Sequence, residues 1–365
     1  MPLPKILVMG ATGRIGRVAV SELLAKGYPV RAIVRREDDR SRALQAQGVE
    51  IAIGDMGDAE RVANAMRGVQ RAFFLPPYDP NMIRGAAAFA AAAATVRVEA
   101  IVSVSQWLAS PSHPSQMTRD TWLSEKIFGN LPGIAYTAIN TGLFADSPYL
   151  ESFDFAAHLG VYPWAFGSRR DAPASIDDIG RVCAAALMDP DRHAGARYRP
   201  TGPALLGGRD MADALGRALN RKVRLVPLPA KMMIKAVKKK GEPDFVLGSL
   251  PDYIEDHNRG AFEFGGPTNV VRELTGREPE SFEDVARRYA SRVKRGIGPT
   301  IGQIAEFLAM PFAPGFDAET YNRELRLRAP AETRYAADSP LWRSEHGVDA
   351  KAVLPPRPDV FKGIK

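Results

Sequence analysis

Cysteine is nearly missing from this chain: Cys183 is the only one in 365 residues. That excludes an internal disulfide and any cysteine-based metal cluster. Within "DDIGRVCAAALMD" the thiol falls on a helical pattern, where a small buried side chain is expected rather than a reactive one. Histidine is scarce too. His113, His158, His193, His257 and His346 show no HxxxH or HxH spacing, so no metal site is expected. Long apolar runs are also lacking. The opening "KILVMG" is too short and too soon broken by glycine for a signal peptide. No stretch approaches the roughly 18 apolar residues that span a bilayer. The longest apolar tract, "GAAAFAAAAATV", is alanine-rich and reads as a buried helix. A cytoplasmic protein without a membrane partner is expected.

What is present is an ordinary globular composition, 45% hydrophobic and 25% charged, long enough for one large domain and a satellite. The net charge of +7 is densest in "AKMMIKAVKKKG". There Met232, Met233, Ala236 and Val237 recur at helical spacing with lysines opposite, so the segment reads as an amphipathic helix with a solvated basic face near a domain junction. A nucleic-acid partner is not expected.

The first half alternates short β-branched runs with helical stretches, the pattern of βαβ units on a parallel sheet. Strands are expected at 5–9, 29–34, 49–53, 71–75, 98–105 and 134–140. The fold class is therefore α/β, a doubly wound parallel sheet of the Rossmann kind over residues 1–145. A smaller, mainly helical C-terminal substrate lobe follows over 146–295, from which residues 175–202 return to the sheet domain. "SIDDIGRVCAAALMDP" opens on Ser175 and two acids, a sound helix start. Residues 296–365 form an extension. Its "IGQIAEFLAMPF" is helical in pattern, and Leu341, Trp342, Val353 and Phe361 can anchor the rest on its own domain or on a partner subunit; a floppy tail is the alternative.

The first βα turn reads "GATGRIG". Gly10 permits the tight exit from strand 1, Gly13 lets backbone N–H groups approach a pyrophosphate, and Gly16 lets the helix pack on the sheet. Thr12, Arg14 and Ile15 complete that cradle. A strand before it and a helix after it turn a weak glycine triad into a dinucleotide signal. Strand 2 ends in "IVRRED", which puts Arg35 and Arg36 where a 2′-phosphate would be met, so NADP(H) is expected over NAD(H). Glu37 and Asp38 next to them are the competing signal. Asp55 and Met56 after strand 3 are placed at the adenine. Leu75 and Pro76 after strand 4, and Ser103 in strand 5, complete the cofactor set.

Taken together, "GATGRIG", "VRAIVRRED", "GDMGD", "RDTWLSEKIFGNLPGIAYTAINTGLFADS", "SIDDIGRVCAAALMDP", "YRPTGPALLGGRDMADALGRALNRKV" and "LTGREPESFEDVARRYA" resemble the NmrA-like group of atypical short-chain dehydrogenases/reductases. The resemblance runs over residues 4–292. Family members usually stop near "SFEDVARRYA", and this chain continues for some seventy residues more. The resemblance implies a Rossmann domain with NADP(H) and a small helical lobe. It leaves turnover open, because some relatives reduce quinones, azo dyes or unsaturated phenylpropanoids and others act as redox-responsive regulators.

A dehydrogenase of the usual type would carry Tyr-x-x-x-Lys on the helix after strand 5, the Tyr transferring the proton. Here Trp122 stands four residues before Lys126, and the resemblance extends to Glu125, three residues after the Trp. Hydride transfer to a conjugated acceptor needs chiefly positioning, and water can bring the proton. Tyr78, Ser105, Gln106 and Lys126 are the candidate catalytic residues. Trp107, Phe144, Tyr149, Phe153 and Trp164 are candidate pocket aromatics, with a lobe core as the alternative for each. Three readings follow: an NADPH-dependent reductase of a quinone, azo or enone acceptor; a non-catalytic NADP(H) sensor; and, third, a nicotinamide-dependent lyase or epimerase. A monomer or homodimer is compatible with all of them.

Overall fold

The computed structural model describes residues 2–294, 296–325 and 330–347. Strands β1 (Ile6–Met9), β2 (Val30–Val34), β3 (Glu50–Ile53), β4 (Arg71–Phe74), β5 (Ala100–Gln106) and β6 (Ala135–Thr141) fall on the β-branched runs. The remaining strands are β7 (Val161–Trp164), β8 (Arg197–Tyr198) and β9 (Arg224–Pro227). One parallel sheet takes the order β3-β2-β1-β4-β5-β6-β8, so the chain reverses direction across the sheet between β1 and β4. Such a reversal opens a crevice at the carboxyl ends of the strands.

Helices α1 (Arg14–Ala25), α2 (Asp39–Gln45), α3 (Ala59–Met66), α4 (Met82–Val96) and α5 (Gln116–Gly129) connect the first six strands. α3, α4 and α5 cover one face of the sheet, where Phe74, Phe89 and Phe128 meet edge-on with ring centres 4.8 to 6.0 Å apart. The alanines of α4 let that helix lie close: Ala86, Ala90 and Ala93 are buried beside Phe89. Every residue of β1 is buried, as expected of a central strand covered on both faces.

After β6 come α6 (Phe153–Leu159), α7 (Ile176–Met188), α8 (Pro190–His193), α9 (Gly208–Leu219), α10 (Ala230–Lys239), α11 (Asp244–Asn258), α12 (Val270–Thr275) and α13 (Phe282–Ala290). Of these, α7 packs on α1 and the second sheet face, and β8 adds to the sheet edge. Ser175 caps α7, accepting from the Asp178 N–H at 3.0 Å. The lobe is not wholly helical, because β7 and β9 pair in parallel as a second, two-stranded sheet. Four residues each, with Pro163 and Pro227 among them, carry no alternating pattern, and their pairing spans some sixty residues of chain.

The extension contributes α14 (Ile297–Ala309), α15 (Ala318–Glu324) and α16 (Pro340–Glu345). Its first part lies on the lobe, where it meets the basic face of α10 and leaves its lysines partly exposed. Lys235 donates to the Pro311 carbonyl at 2.7 Å, Lys238 to that of Gly315 at 3.0 Å, and Lys239 pairs with Glu306 at 3.1 Å. The second part clasps the sheet domain. Trp342 is fully buried between Trp107 and Phe264, and its indole donates to the Trp107 carbonyl at 2.6 Å. His346 stacks on Trp342 at 5.1 Å. Leu341 stays half-exposed, and Val353 and Phe361 lie outside the described residues.

Burial pushes the His346 imidazole down from 6.5 to about 4. A released clasp would take up a proton that the docked one refuses, so docking is complete above pH 6.5 and weakens as the pH falls toward about 4. Glu345 acts in the same sense. Burial opposes its charge, but hydrogen bonds from Lys126 and Trp122 hold its carboxyl below the usual value. Trp107, Trp122 and Trp342 all touch this clasp, so tryptophan emission should shift to the red across that window. His346→Phe should flatten the shift; an emission spectrum constant from neutral pH to about 4 would contradict it.

Candidate active site

The glycine loop is tight for reasons that backbone geometry makes explicit. Gly10 has φ +68°, and a Cβ there would stand 2.7 Å from Leu75 Cδ2. On Gly16 a Cβ would fall 2.1 Å from the Gly10 carbonyl oxygen, a collision with backbone rather than with a movable side chain. Gly13 is the N-cap of α1 and offers no side chain to its first turn, so the amides there stay available to an anion. Arg14 leans the other way, toward Asp146 at 3.3 Å and the Tyr289 hydroxyl at 3.1 Å. Thr12 is half-buried and Ile15 buried beneath the turn.

Arg35 and Arg36 follow β2 and are exposed, with no ion pair among the described residues. Asp38, the competing signal, is spent on its own helix. It caps α2, accepting from the Arg40 and Ser41 N–H groups at 3.0 Å, and the Arg40 guanidinium holds its carboxyl low. Asp55 is exposed and closes a turn by accepting from the Gly57 N–H at 2.8 Å; Asp58 caps α3. Met56 packs against Gly85 of α4.

A cavity of about 360 Å³ opens at the carboxyl ends of β4, β5 and β6, under α10 and α11. Arg14 and Ile15 bring the edge of the glycine loop into it, and Leu75, Tyr78, Gln106, Trp107 and Phe144 line the sheet side. Pro76, the next residue, is buried. Burial pushes the Tyr78 phenol above its ordinary value, with the Gln106 amide acting in the opposite sense. The phenol is therefore a hydrogen-bond donor at neutral pH. Gln106 is 4% exposed, and beyond that loose approach to Tyr78 its amide has no close polar partner among the described residues. Val246, Leu250 and Tyr253 of α11 form the apolar roof.

The other candidates sit elsewhere. Ser103 bonds Tyr136 at 2.8 Å beneath α5, and Ser105 donates to Glu125. Glu125 is buried, its carboxyl pushed up by burial against the pull of Arg197 at 2.6 Å and of Asn140 at 2.7 Å. It ties α5 to β5, β6 and β8. Trp122 and Lys126 face the clasp, where Glu345 receives the indole N–H at 3.0 Å and the ammonium at 2.6 Å. Neither lines the cavity. Phe153 lies in the lobe core, whereas Tyr149 and Trp164, stacked 5.7 Å apart, border a second chamber of about 190 Å³. Sequence reasoning missed the α11 wall and Glu345, since nothing local in either marks a site.

The NmrA-like family model matches residues 3–123. An NAD(P)H azoreductase of Xenophilus azovorans is 29% identical over 295 residues, covering 78% of this chain and 98% of that protein. A (4-alkanoyl-5-oxo-2,5-dihydrofuran-3-yl)methyl phosphate reductase of Streptomyces griseus is 31% identical over 291 residues, with the same two coverages of 78% and 98%. Among solved structures, the NADPH complex of an NADPH-dependent quinone oxidoreductase from Escherichia coli superposes with a TM-score of 0.68 at 24% identity, over 78% of this chain and 99% of that one. About a fifth of the present chain is left over in each case.

Replacing Gly16 by Ala should force the loop away from α1. The expected result is a loss of about 1–3 kcal/mol of stability, as for other overpacked positions, together with loss of dinucleotide affinity. Gly298→Ala, where a Cβ meets nothing within 4 Å, is the control. Equal melting temperatures for the two variants would contradict the close-approach account.

Proposed function

The chain belongs to the NmrA-like family, and on that premise we propose that it is an NADPH-dependent reductase of flat, conjugated acceptors of quinone, azo or enone type. The cavity at the strand ends carries this reading: it is walled by Leu75, Tyr78, Trp107 and Phe144 and roofed by the apolar face of α11. A planar apolar ring suits such walls, and Tyr78 with Gln106, on the sheet side, supplies polar atoms to orient it.

The residues present fit the cofactor. The unencumbered amides of the first turn of α1 suit the pyrophosphate, and Arg35 with Arg36 suit the 2′-phosphate now that Asp38 is committed to its cap. When bound, NADPH supplies the hydride. The chain's own part is to hold the acceptor against that face, cover it with α10 and α11, and donate a hydrogen bond from the Tyr78 hydroxyl to the carbonyl or azo atom that gains electron density. No Tyr-x-x-x-Lys pair is needed, because the proton that completes the reduction comes from water. Trp122 and Lys126 are free to hold Glu345 instead. Azoreductase and quinone oxidoreductase relatives support the acceptor class. The cytoplasm, where NADPH is at hand, is the site of action this reading implies.

NADPH oxidation should be seen with at least one of a naphthoquinone, an azo dye and an enone. Tight NADPH binding with no oxidation by any of the three would assign a sensing role instead. In the same assay, replacing Arg35 and Arg36 by Ala should weaken NADPH by on the order of 1.5–3 kcal/mol and leave NADH nearly unchanged. Equal weakening of both would move the 2′-phosphate site elsewhere.

A further inference from the structure

Of the large apolar side chains of helix α14, Phe307 packs toward the protein against Phe155, and the others face out. A surface helix ordinarily turns its apolar stripe to the core and its polar residues to water. Here Thr300, Gln303 and Glu306 face the protein: Thr300 meets His158 at 3.3 Å, Glu306 pairs with Lys239 at 3.1 Å, and the Gln303 carbonyl oxygen is buried. The opposite face carries Ile297, Ile301, Ile304 and Leu308 at intervals of four, three and four residues, and these are 80%, 58%, 44% and 64% exposed. Phe312 extends the stripe just beyond the helix and is 88% exposed. None of the residues of α14 is buried. An exposed patch of this kind marks an interface.

Lysines stand at both ends of the stripe. Lys294 stands just before the helix, and Lys235 and Lys238 hold the carbonyls of Pro311 and Gly315, on either side of Phe312. Lys231 shares their face of α10 one turn earlier. None of these four has a carboxylate partner among the described residues. A second copy of the chain would fit the apolar stripe, but a two-fold interface repeats the same patch on both sides. Parallel or antiparallel, it would set one copy's lysines against the other's. An anionic lipid surface satisfies both features together. No described helix is long and apolar enough to cross a membrane, so α14 would lie in the interfacial plane. Beneath it, Phe307 and Met310 roof the 190 Å³ chamber, whose other walls include Tyr162, Met232 and Ala236.

We propose that α14 with Phe312 is a docking face for an anionic bilayer surface. The helix belongs to the C-terminal extension, and the proposal stands whether or not the reductase reading does.

Full-length protein should float with phosphatidylglycerol-containing vesicles at low salt and far less with pure phosphatidylcholine. Binding should fall as salt rises, because the lysines act through a screened field. The double variant I301S/L308S should lose flotation at least several-fold while keeping its melting temperature and NADPH affinity, since both side chains are exposed. Lys231→Glu with Lys294→Glu should lose the preference for anionic lipid. Failure of the natural chain to float, or undiminished flotation of I301S/L308S, would overturn the proposal. So would a wild-type dimer in sedimentation that the same double variant dissolves, which would give the face to a second copy.

Discussion

Helix α1 stands where it does because the residues that meet it most closely have no side chains. Gly16 rests on the Gly10 carbonyl with no room for a methyl group, and Gly180 of α7 comes so near Val18 that a Cβ would lie 2.6 Å from the valine Cβ. Pressed between the loop and α7, the amino end of α1 is fixed at the mouth of β1. Everything around the cavity is arranged about that point. β4 and β5 deliver Tyr78 and Gln106 beside it, and α10 and α11 close over the top.

The sheet and the loop were legible because their signals are local. A β-branched run, a glycine triad and a helical stripe each report their own structure within about ten residues. The arginines after β2 belong to the same class, and the structure sharpens them by showing that Asp38 is committed to capping α2. What escaped depends on contacts between distant parts of the chain. β7 pairs with β9 across some sixty residues, and Lys126 meets Glu345 across more than two hundred. No spacing within either segment encodes those partners.

Trp122 illustrates the difference. In sequence it reads as a missing proton donor. In the structure it shares Glu345 with Lys126, so this face of α5 anchors the extension, and Tyr78 and Gln106 reach the cavity from the ends of β4 and β5. Ser105 likewise carries a catalytic residue type yet spends its hydroxyl on buried Glu125. The helical pattern of α14 was equally readable, but which side of it faced the protein was not. Sequence periodicity gives the stripe and leaves its direction to packing.

The proposed function requires the loop and the strand-2 arginines together to hold a dinucleotide bearing a 2′-phosphate. Titration calorimetry of the unmodified chain with NADPH and then with NADH tests it most directly. The account predicts that NADPH binds tighter by at least about tenfold, the worth of one charge-assisted contact to the extra phosphate. Equal affinities, or tighter NADH, would contradict it.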